Sequence, residues 1–538
     1  MSEITKTEAA ASSTVPTFVW VLLFALVFFV YLFALNIPLL GPDEPRYAQV
    51  AREMFERGDW VTPTLGGFHW FEKPALLYWL QITSYNIFGL GEFAARFGSA
   101  LFGLGTVASL WVLGRRFATE CTENTEYVNQ SQHETASRPG SVSSVPSAVK
   151  NFADYLALIA ASSLGILVFS RGASFDIIVT FPLTAALVSF FVFDRAAKKT
   201  GVKKYLPLAL FYIFIGVSLL AKGLIGILFP YAIVGCYFVL SWRLPSRTFI
   251  ASLFWGTLIA AAVAAIWYLP MYQRHGWEFI DEFFIQHHFQ RFTSNKYQHP
   301  QPFYFFLWVL PLMTFPWVPF FFAAIWKAVK EFFHRRDAET LRLKGESLFS
   351  SSPLFLFSLS WLLVPLVFFS LSGSKLPGYI LPAVPAAIIL TALVIFGLVE
   401  ESSRWRKIVL TSAVTTLLGI VALLIFAVPK FADSDSVKSL ISAATARGFA
   451  GQRVMMVYTL SHNAEFYAPG RLLRDETGKQ RTFYHVDDLL PYLGKENGGS
   501  ALVLVPIEHL AVLTRDTRIK TEVISDNTEL VIAEISLK

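Results

Sequence analysis

Residues 18–40, FVWVLLFALVFFVYLFALNIPLL, lead directly into the charged stretch 41–80, GPDEPRYAQVAREMFERGDWVTPTLGGFHWFEKPALLYWL. The first run is apolar over roughly 23 residues, which is long enough to cross a bilayer and too long for the apolar core of a cleavable signal peptide. We therefore predict an uncleaved signal anchor. The charged residues that follow it are predicted to lie beside the membrane, where they are the first candidates for a functional site.

The composition of the 538-residue chain is that of an integral membrane protein, because 54% of its residues are hydrophobic and 16% are aromatic. These values lie well outside the usual range of soluble proteins. The formal net charge of +6 does not indicate nucleic-acid binding, since most Lys and Arg residues lie in short loops, where they determine membrane topology. The two cysteines, Cys121 and Cys236, support neither a disulfide framework nor a Cys-ligated metal site.

Ten further apolar runs of about 16 to 25 residues are predicted to span the membrane. With the first run, the predicted spans are residues 18–40, 93–113, 155–170, 177–193, 205–220, 224–240, 249–272, 303–326, 354–371, 379–399 and 408–428. The predicted fold class is an α-helical polytopic membrane protein with about 11–13 transmembrane helices and a small C-terminal α/β domain. Residues 74–90 are also apolar, but Gln81, Thr83, Ser84 and Asn86 favour a helix lying in the interface.

The distribution of basic residues predicts which loops share a side of the membrane. The loops rich in Lys and Arg, at residues 115–116, 195–204, 243–247, 327–344 and 404–407, fall on one side if residues 74–90 lie flat. The positive-inside rule makes that side cytoplasmic, whereas a span at 74–90 would place about twenty basic residues outside and about ten inside. The loops predicted to face outward are 41–73, 170–176, 221–223, 273–301 and 372–378.

Three regions are predicted along the chain. Residues 1–17 form a disordered cytoplasmic tail, and residues 18–428 form the transmembrane domain, with a periplasmic loop carrying interfacial helices at 41–92 and a cytoplasmic linker at 119–150. Residues 429–538 form a periplasmic α/β domain. Its strand-like stretches are RVMMVY at 453–458 and ALVLVP at 501–506, followed by the helix-like IEHLAVLTRD and a final stretch at 521–535 that alternates or turns back as a hairpin.

The first pair of candidate site residues is Asp43 and Glu44, directly behind the helix-breaking Pro42. A structural interpretation is that two solvated acids complement the dipole of the next helix. The functional interpretation is favoured by Arg46, which lies three residues after Asp43 on the same helix face, with Tyr47 beside it.

The second set of candidates consists of lysines at the membrane surface. Lys73 follows Glu72 at the start of the predicted interfacial helix, where a cation is poorly placed for the helix dipole. Lys73 is therefore predicted to bind an anion. Lys375 in SGSKLPGYILP and Lys222 in AKG repeat this arrangement, although long side chains that simply reach toward the interface would give the same pattern.

Asp176 begins a predicted span close to Arg171, and a carboxylate at membrane depth is costly unless it is paired or faces a polar cavity. The loop 273–301 contains four histidines and three acids. They are His275, His287, His288, His299, Glu278, Asp281 and Glu282. One of the adjacent histidines could join a distant acid such as Glu72 to hold a divalent ion, although the aromatic spacing also fits a lipid-facing helix. Together, the outward-facing candidates suit an amphipathic substrate that carries a phosphate.

The stretch 41–79 closely resembles the first outer loop of the bacterial 4-amino-4-deoxy-L-arabinose transferases that act on lipid A. More broadly, the chain resembles the GT-C glycosyltransferases that use polyprenyl phosphate and are related to protein O-mannosyltransferases. The resemblance continues through the turn at Asp176, AKG at Lys222, HHFQRF at His287–Phe292 and SKLPGYILP at 374–382, and covers residues 38–385. In this family an acid commonly precedes the motif histidine, whereas this chain has His287 before His288.

The resemblance implies a GT-C fold, an active site facing the periplasm of a bacterial inner membrane, and a sugar donor linked to undecaprenyl phosphate. The acceptor implied is lipid A, another envelope glycan or a protein, and inversion is expected at the anomeric carbon. The resemblance implies catalysis by Asp43 and Asp176 and a divalent metal at Glu72 and His288. The residues implied to bind the donor phosphate are Arg46, Lys73, Lys375 and Arg291. The residues implied to support the site are Glu44, Tyr47, Lys222 and Tyr379. The alternatives are an outward-facing lipid or sugar transporter and a protein O-mannosyltransferase.

Overall fold

The computed structural model describes residues 15–133, 146–196, 202–290, 301–333, 353–494 and 499–538. Within these ranges the chain is mostly helical. The α-helices are α1 Thr17–Leu32, α2 Asp43–Arg57, α3 Leu76–Phe88, α4 Glu92–His133, α5 Pro146–Ser162, α6 Leu164–Ser170, α7 Phe175–Arg195, α8 Val202–Lys222, α9 Ile225–Leu240, α10 Arg247–Phe279, α11 Phe305–Met313, α12 Val318–Phe333, α13 Pro353–Ser370, α14 Val384–Glu401, α15 Ser403–Phe426, α16 Val428–Asp435, α17 Lys438–Ala446, α18 Asn463–Tyr467, α19 Val486–Leu493 and α20 Leu510–Thr514.

The apolar helices confirm a multi-pass membrane protein. Seven helices in the described ranges are long and apolar enough to cross a membrane, or eight if the pair α5 and α6, bent by 60° around Ser163, is one span. Helices α1 and α9 are apolar but shorter. The predicted span 303–326 is divided into α11 and α12 by a turn that contains Pro316, which cannot donate a backbone hydrogen bond. Helix α4 continues to His133, into the region for which a linker is predicted.

The segment between α1 and α4 forms a small structured loop. Helix α2 begins with two acids behind Pro42 and ends at Arg57, just before Gly58, whose φ of 66° suits a residue without a Cβ atom. A two-stranded hairpin follows, formed by β1 Thr64–Leu65 and β2 Phe68–His69. Helix α3 has 13 residues, fewer than a membrane span requires.

The C-terminal region contains a five-stranded mixed sheet, which confirms the predicted small α/β domain. Its strands are β3 Val454–Val457, β4 Thr482–Phe483, β5 Ser500–Pro506, β6 Ile519–Asp526 and β7 Leu530–Leu537. The order is β4-β3-β5-β7-β6, with β3 parallel to β4 and β5, and with β7 antiparallel to β5 and β6. The predicted strands at 453–458 and 501–506 are present, and the final stretch folds back as a hairpin.

The C-terminal domain contacts the loop that carries the first candidate residues. The Asp435 carboxylate accepts a hydrogen bond of 2.9 Å from the Gly41 backbone N–H, and the Tyr467 hydroxyl accepts one of 2.8 Å from the Leu39 N–H. Lys438 Nζ lies 2.5 Å from Glu92 Oε1, to which the Tyr467 hydroxyl also donates at 3.1 Å. These contacts hold the domain against the segment just before α2 and against the start of α4.

Candidate active site

Asp43 and Arg46 form an accessible ion pair on the first turn of α2. Arg46 Nη2 lies 2.5 Å from Asp43 Oδ1, as the three-residue spacing predicts, and 52% of the Asp43 side chain is exposed. Arg46 Nε also donates to the Pro42 carbonyl at 2.8 Å, and its guanidinium carbon lies 5.7 Å from the centre of the Trp70 ring. The guanidinium is therefore fixed by three contacts while the carboxylate of Asp43 remains open to a ligand.

Glu72 and Lys73 adjoin this pair from the segment after the hairpin. Burial disfavours the charge of Arg46, but the carboxylates of Asp43 and Glu72 together raise its pKa, so the guanidinium stays charged. Lys73 Nζ lies 3.0 Å from Glu72 Oε1, and both side chains are mostly buried. With Tyr47, these four residues form what we call the Asp43 cluster, which places two cations beside two carboxylates.

Aromatic rings connect the Asp43 cluster to the start of α7. Tyr47 is buried, and its ring meets Phe175 edge to face with 4.8 Å between centroids. Phe175 also contacts Tyr78 of α3, at 5.5 Å. Burial, together with the charges of Asp43 and Glu72, raises the pKa of Tyr47 well above 10. Its hydroxyl therefore stays protonated and can donate a hydrogen bond at any physiological pH.

Asp176, Lys222 and Tyr379 form a second group, the Asp176 cluster. Lys222 Nζ, at the end of α8, contacts Asp176 Oδ1 directly and lies 5.1 Å from the centre of the Tyr379 ring. Asp176 is held by the Ser174 cap of α7, whose side chain accepts from the Asp176 N–H at 3.2 Å. A Cβ atom at Gly378 would lie 2.0 Å from Asp176 Oδ2, so only glycine lets this turn approach the carboxylate.

Glu44 is a structural partner of a buried arginine that the sequence analysis missed. Arg96 is 1% exposed. Its guanidinium donates to the Glu44 carboxylate at 2.6 and 3.1 Å and to the carbonyls of Leu35, Ile37 and Pro38. Glu44 also accepts from the Ala173 N–H at 2.7 Å. This pair joins the loop before α2 to the loop before α7. The sequence did contain a sign of this pair, because Arg96 is a single charged residue inside an apolar run, where an unpaired charge would be costly.

Three predicted residues stand apart from these clusters. Lys375 is 6% exposed and donates to the carbonyls of Ser372 at 2.6 Å and Gln301 at 3.1 Å. Arg291 and the side chain of His288 lie outside the described residues. Glu72 pairs with Lys73. The phosphate-binding roles of Lys375 and Arg291 and the metal at Glu72 and His288 therefore stay predictions.

The C-terminal domain contributes His462 to the surroundings of the Asp43 cluster, a residue that sequence reasoning did not select. Burial, helped by the nearby charge of Arg46 and opposed by that of Asp43, lowers the pKa of His462 to about 4. The Nδ1 atom is buried and makes no hydrogen bond in the described part of the chain. His462 is therefore neutral at physiological pH and close to Asp43 and Arg46.

The lowered pKa of His462 predicts an acid-sensitive contribution to stability. An unfolded histidine has a pKa near 6.5, so the unfolded chain binds a proton more readily than the folded chain between about pH 6.5 and 4, and stability falls as the pH is lowered through this window. We expect His462→Asn to reduce the pH dependence of thermal unfolding between pH 7 and pH 4, measured in detergent. His485→Asn, which changes an exposed histidine of the same domain, is the control. An identical pH profile for wild type and His462→Asn would contradict the assignment.

A polar cleft of about 610 Å³ lies farther along α2, between this helix, the hairpin and the C-terminal domain. It is lined by charged residues from both sides. They include Arg52, Glu53, Glu56, Arg453 and Arg474. Glu53 also accepts from the Gly66 N–H at 2.6 Å, which fixes the hairpin on α2. Helix α2 thus carries the Asp43 cluster at its start and borders a polar cleft farther along.

Comparisons with known proteins identify relatives of the chain, although no protein-family model matches it. The undecaprenyl phosphate-alpha-4-amino-4-deoxy-L-arabinose arabinosyl transferase of Aeromonas hydrophila subsp. hydrophila is 30% identical over 417 residues, which cover 76% of this chain and 66% of that protein. The protein of the same name from Aeromonas salmonicida is 31% identical over 403 residues, covering 74% and 64%. The alignments thus span slightly less than two thirds of these relatives.

The fold is similar to a crystal structure of ArnT from Cupriavidus metallidurans bound to undecaprenyl phosphate. The TM-score is 0.69 at 22% identity, and the alignment covers 97% of this chain and 98% of that one. The similarity extends over both the helical region and the C-terminal domain. It confirms the polytopic helical fold with a small C-terminal α/β domain.

Proposed function

Because the chain belongs to the family of bacterial 4-amino-4-deoxy-L-arabinose transferases within the GT-C glycosyltransferases, we propose that it is a membrane glycosyltransferase. Its donor would be 4-amino-4-deoxy-L-arabinose linked to undecaprenyl phosphate, and its acceptor lipid A. The active site would face the periplasm at the inner membrane. The relatives and the matched structure support the donor and the fold, and the charge distribution of the loops supports the orientation.

The observation that carries the proposal is the Asp43 cluster. It places the accessible carboxylate of Asp43 beside Arg46. Glu72, which pairs with Lys73, also acts on the charge of Arg46, so the two cations belong to one cluster. A phosphate leaving group gains negative charge as its bond to the anomeric carbon breaks, and fixed cations stabilise that charge most strongly in the transition state. Arg46 and Lys73 are the proposed partners of the departing polyprenyl phosphate.

The reaction proposed is a single displacement at the anomeric carbon. An acceptor oxygen forms the new bond on the face opposite the phosphate, the old carbon–oxygen bond breaks, and polyprenyl phosphate leaves, so the configuration inverts. If the acceptor is a hydroxyl, Asp43 takes its proton as general base. If the acceptor is a phosphate of lipid A, which is already an anion, Asp43 orients the amino sugar or balances its charge. Asp176, held by Lys222, is the proposed second functional carboxylate.

The proposal is tested by transfer in proteoliposomes that contain the full chain, the aminoarabinose donor and lipid A. We expect lipid A to gain one aminoarabinose in mass spectrometry, and we expect no product with polyprenyl-phosphate mannose and a Ser/Thr peptide. Empty liposomes are the control. Mannosylated peptide in place of modified lipid A would favour a protein O-mannosyltransferase, and movement of the donor between leaflets without any product would favour a transporter. The comparisons favour neither alternative.

A further inference from the structure

The carboxyl ends of three neighbouring strands in the C-terminal sheet carry a group of rings. Strand β3 lies between β4 and β5 and runs parallel to both. Tyr458 directly follows β3, Tyr484 directly follows β4, and His509 lies three residues after the end of β5. Ligands of open sheets bind outside the carboxyl ends of parallel strands, so a ligand site is expected at this end of the sheet.

The three rings contact one another and form a surface that we call the ring platform. The Tyr458 ring stacks on the His509 ring, with 4.3 Å between the centroids and 22° between the planes. The Tyr484 ring meets the Tyr458 ring edge to face, at 5.8 Å and 87°. Tyr484 is 55% exposed, and 39% of the His509 side chain is exposed. The ring platform is therefore accessible to a ligand.

Tyr458 holds its ring in this position at a conformational cost. Its φ is 54°, which lies in the left-handed region that a bulky residue with a Cβ atom rarely adopts. A hydrogen bond of 2.9 Å from its N–H to the Phe483 carbonyl fixes the backbone there. Strained backbone of this kind clusters at binding and catalytic sites. The backbone conformation thus indicates a ligand site independently of the ring contacts.

The ring platform lies near the Asp43 cluster, because one short segment connects the two. His462 comes four residues after Tyr458, so the Cα atoms of these residues are at most about 14 Å apart. The charges of Asp43 and Arg46 act on the His462 ring, which places the end of the segment beside the Asp43 cluster. A ligand that reacts at the Asp43 cluster can therefore extend to the ring platform.

The chemistry of the ring platform suits a saccharide. Aromatic faces pack against the C–H groups of a sugar, while phenol hydroxyls and imidazole nitrogens exchange hydrogen bonds with sugar hydroxyls. Glu508, whose Oε1 lies 3.5 Å from His509 Nε2, adds an acceptor for hydroxyl or amino groups. An acyl chain would make no use of these polar groups, so a sugar ring is the better match.

We propose that Tyr458, Tyr484 and His509 bind the saccharide part of the glycolipid acceptor. The proposal rests on the proposed function, which supplies the acceptor, and it gives the C-terminal domain a direct part in acceptor binding. The reacting group of the acceptor would lie at the Asp43 cluster, while a sugar ring farther along the acceptor packs on the ring platform. The three residues bind the acceptor and take no part in making or breaking the glycosidic bond.

Acceptor kinetics in proteoliposomes test the proposal. We expect Tyr484→Ala and Tyr484→Leu to raise the KM for lipid A by about 3- to 10-fold, the usual contribution of one aromatic contact, while kcat and the KM for the donor stay unchanged. Tyr484→Phe keeps the ring and should stay close to wild type. Val523→Ala is the control, because Val523 is 42% exposed on β6, at the opposite edge of the sheet, and should leave all three constants unchanged.

Tyr458→Gly separates the ring of Tyr458 from its backbone strain. Glycine adopts a positive φ freely, so relief of strain should offset the lost ring contacts, and the variant should unfold at about the wild-type temperature. We expect its KM for lipid A to rise as in Tyr484→Ala. A ring with a purely structural role would instead lower the unfolding temperature and leave the KM unchanged.

A binding measurement separates failure of this proposal from failure of the proposed function. Saturation-transfer NMR detects contact between the full chain in detergent and the soluble bisphosphorylated disaccharide obtained by removing the acyl chains of lipid A. The same disaccharide without phosphates is the second probe, which distinguishes sugar binding from phosphate binding. We expect both probes to bind the wild type, and both to give weaker signals with Tyr484→Ala.

Two results would overturn the proposal and leave the proposed function standing. The first is transfer by the wild type with an unchanged KM for lipid A in Tyr484→Ala or Tyr484→Leu, and an unchanged KM in Tyr484→Leu alone would indicate an acyl chain or a lipid surface in place of a sugar. The second is an equal signal from wild type and Tyr484→Ala with the unphosphorylated disaccharide. Binding that depends on Tyr484, without any transfer by the wild type, would contradict the proposed function alone.

Discussion

Asp43→Asn is expected to lower the rate of sugar transfer by about 10²- to 10⁴-fold, the usual contribution of a general acid or base. The substitution keeps the size of the side chain and removes the charge that faces Arg46 at 2.5 Å. Because 52% of the Asp43 side chain is exposed, we expect little loss of stability. The measurement is kcat in proteoliposomes, with thermal unfolding as a check on the fold.

Glu56→Gln is the matched control for Asp43→Asn. Glu56 lies on the same helix and pairs with Arg52 at 2.7 Å, with 49% of its side chain exposed. It lies three turns beyond the Asp43 cluster and has no proposed role in transfer. We expect its kcat to match that of wild type. Equal transfer rates for Asp43→Asn and Glu56→Gln would remove Asp43 from catalysis, and a change confined to KM would make it a binding residue.

Arg96→Gln is expected to lower the free energy of unfolding by about 3–5 kcal/mol, because it leaves the buried carboxylate of Glu44 without its counter-charge. Arg96 is 1% exposed and donates to Glu44 and to three backbone carbonyls. The measurement is chemical unfolding in detergent micelles, followed by the fluorescence of the tryptophans.

The control for Arg96→Gln is Arg52→Gln, which breaks an exposed pair four residues apart on a helix and should cost about 0.3–0.5 kcal/mol. The double variant Arg96→Gln with Glu44→Gln removes both charges and should be more stable than the sum of the two single effects predicts. A loss for Arg96→Gln as small as that for Arg52→Gln would show that the buried pair does not hold the two loops together.

Much of the helical architecture follows from local properties of the sequence. A run of some twenty apolar residues can satisfy its backbone in a bilayer only as a helix, so each predicted span corresponds to one helix or to two helices separated at a proline or serine. Of the eleven predicted spans, however, seven correspond to described helices long and apolar enough to cross a membrane, or eight if the bent pair is one span. The C-terminal strands likewise follow from short β-branched runs. The start of helix α2 could also be predicted from the sequence. Pro42 and the two acids after it mark the first turn, and Arg46, three residues after Asp43, forms the ion pair.

The partners of buried charges could not be predicted in this way. Glu44 and Asp43 are adjacent in sequence, yet one is held by Arg96, 52 residues away, while the other faces the open site. His462 reaches the site because a separate domain docks on the loop before α2. His462 could not be predicted as a site residue, because its position depends on how the C-terminal domain packs on the helical region. Neither the periodicity nor the hydropathy of the sequence shows that packing. The pairing of Lys222 with Asp176 depends on tertiary packing in the same sense.

The hydrogen bonds from Gly41 and Leu39 to the C-terminal domain limit how this protein can be recombined with its relatives. Both bonds use backbone N–H groups of the loop between α1 and α2 as donors and side chains of the domain, Asp435 and Tyr467, as acceptors. A chimera can therefore keep its own loop between α1 and α2 only if the transplanted domain brings an acceptor to each of these two positions. Exchange of the domain together with Glu92, which binds Lys438 and Tyr467, would preserve these two contacts as well.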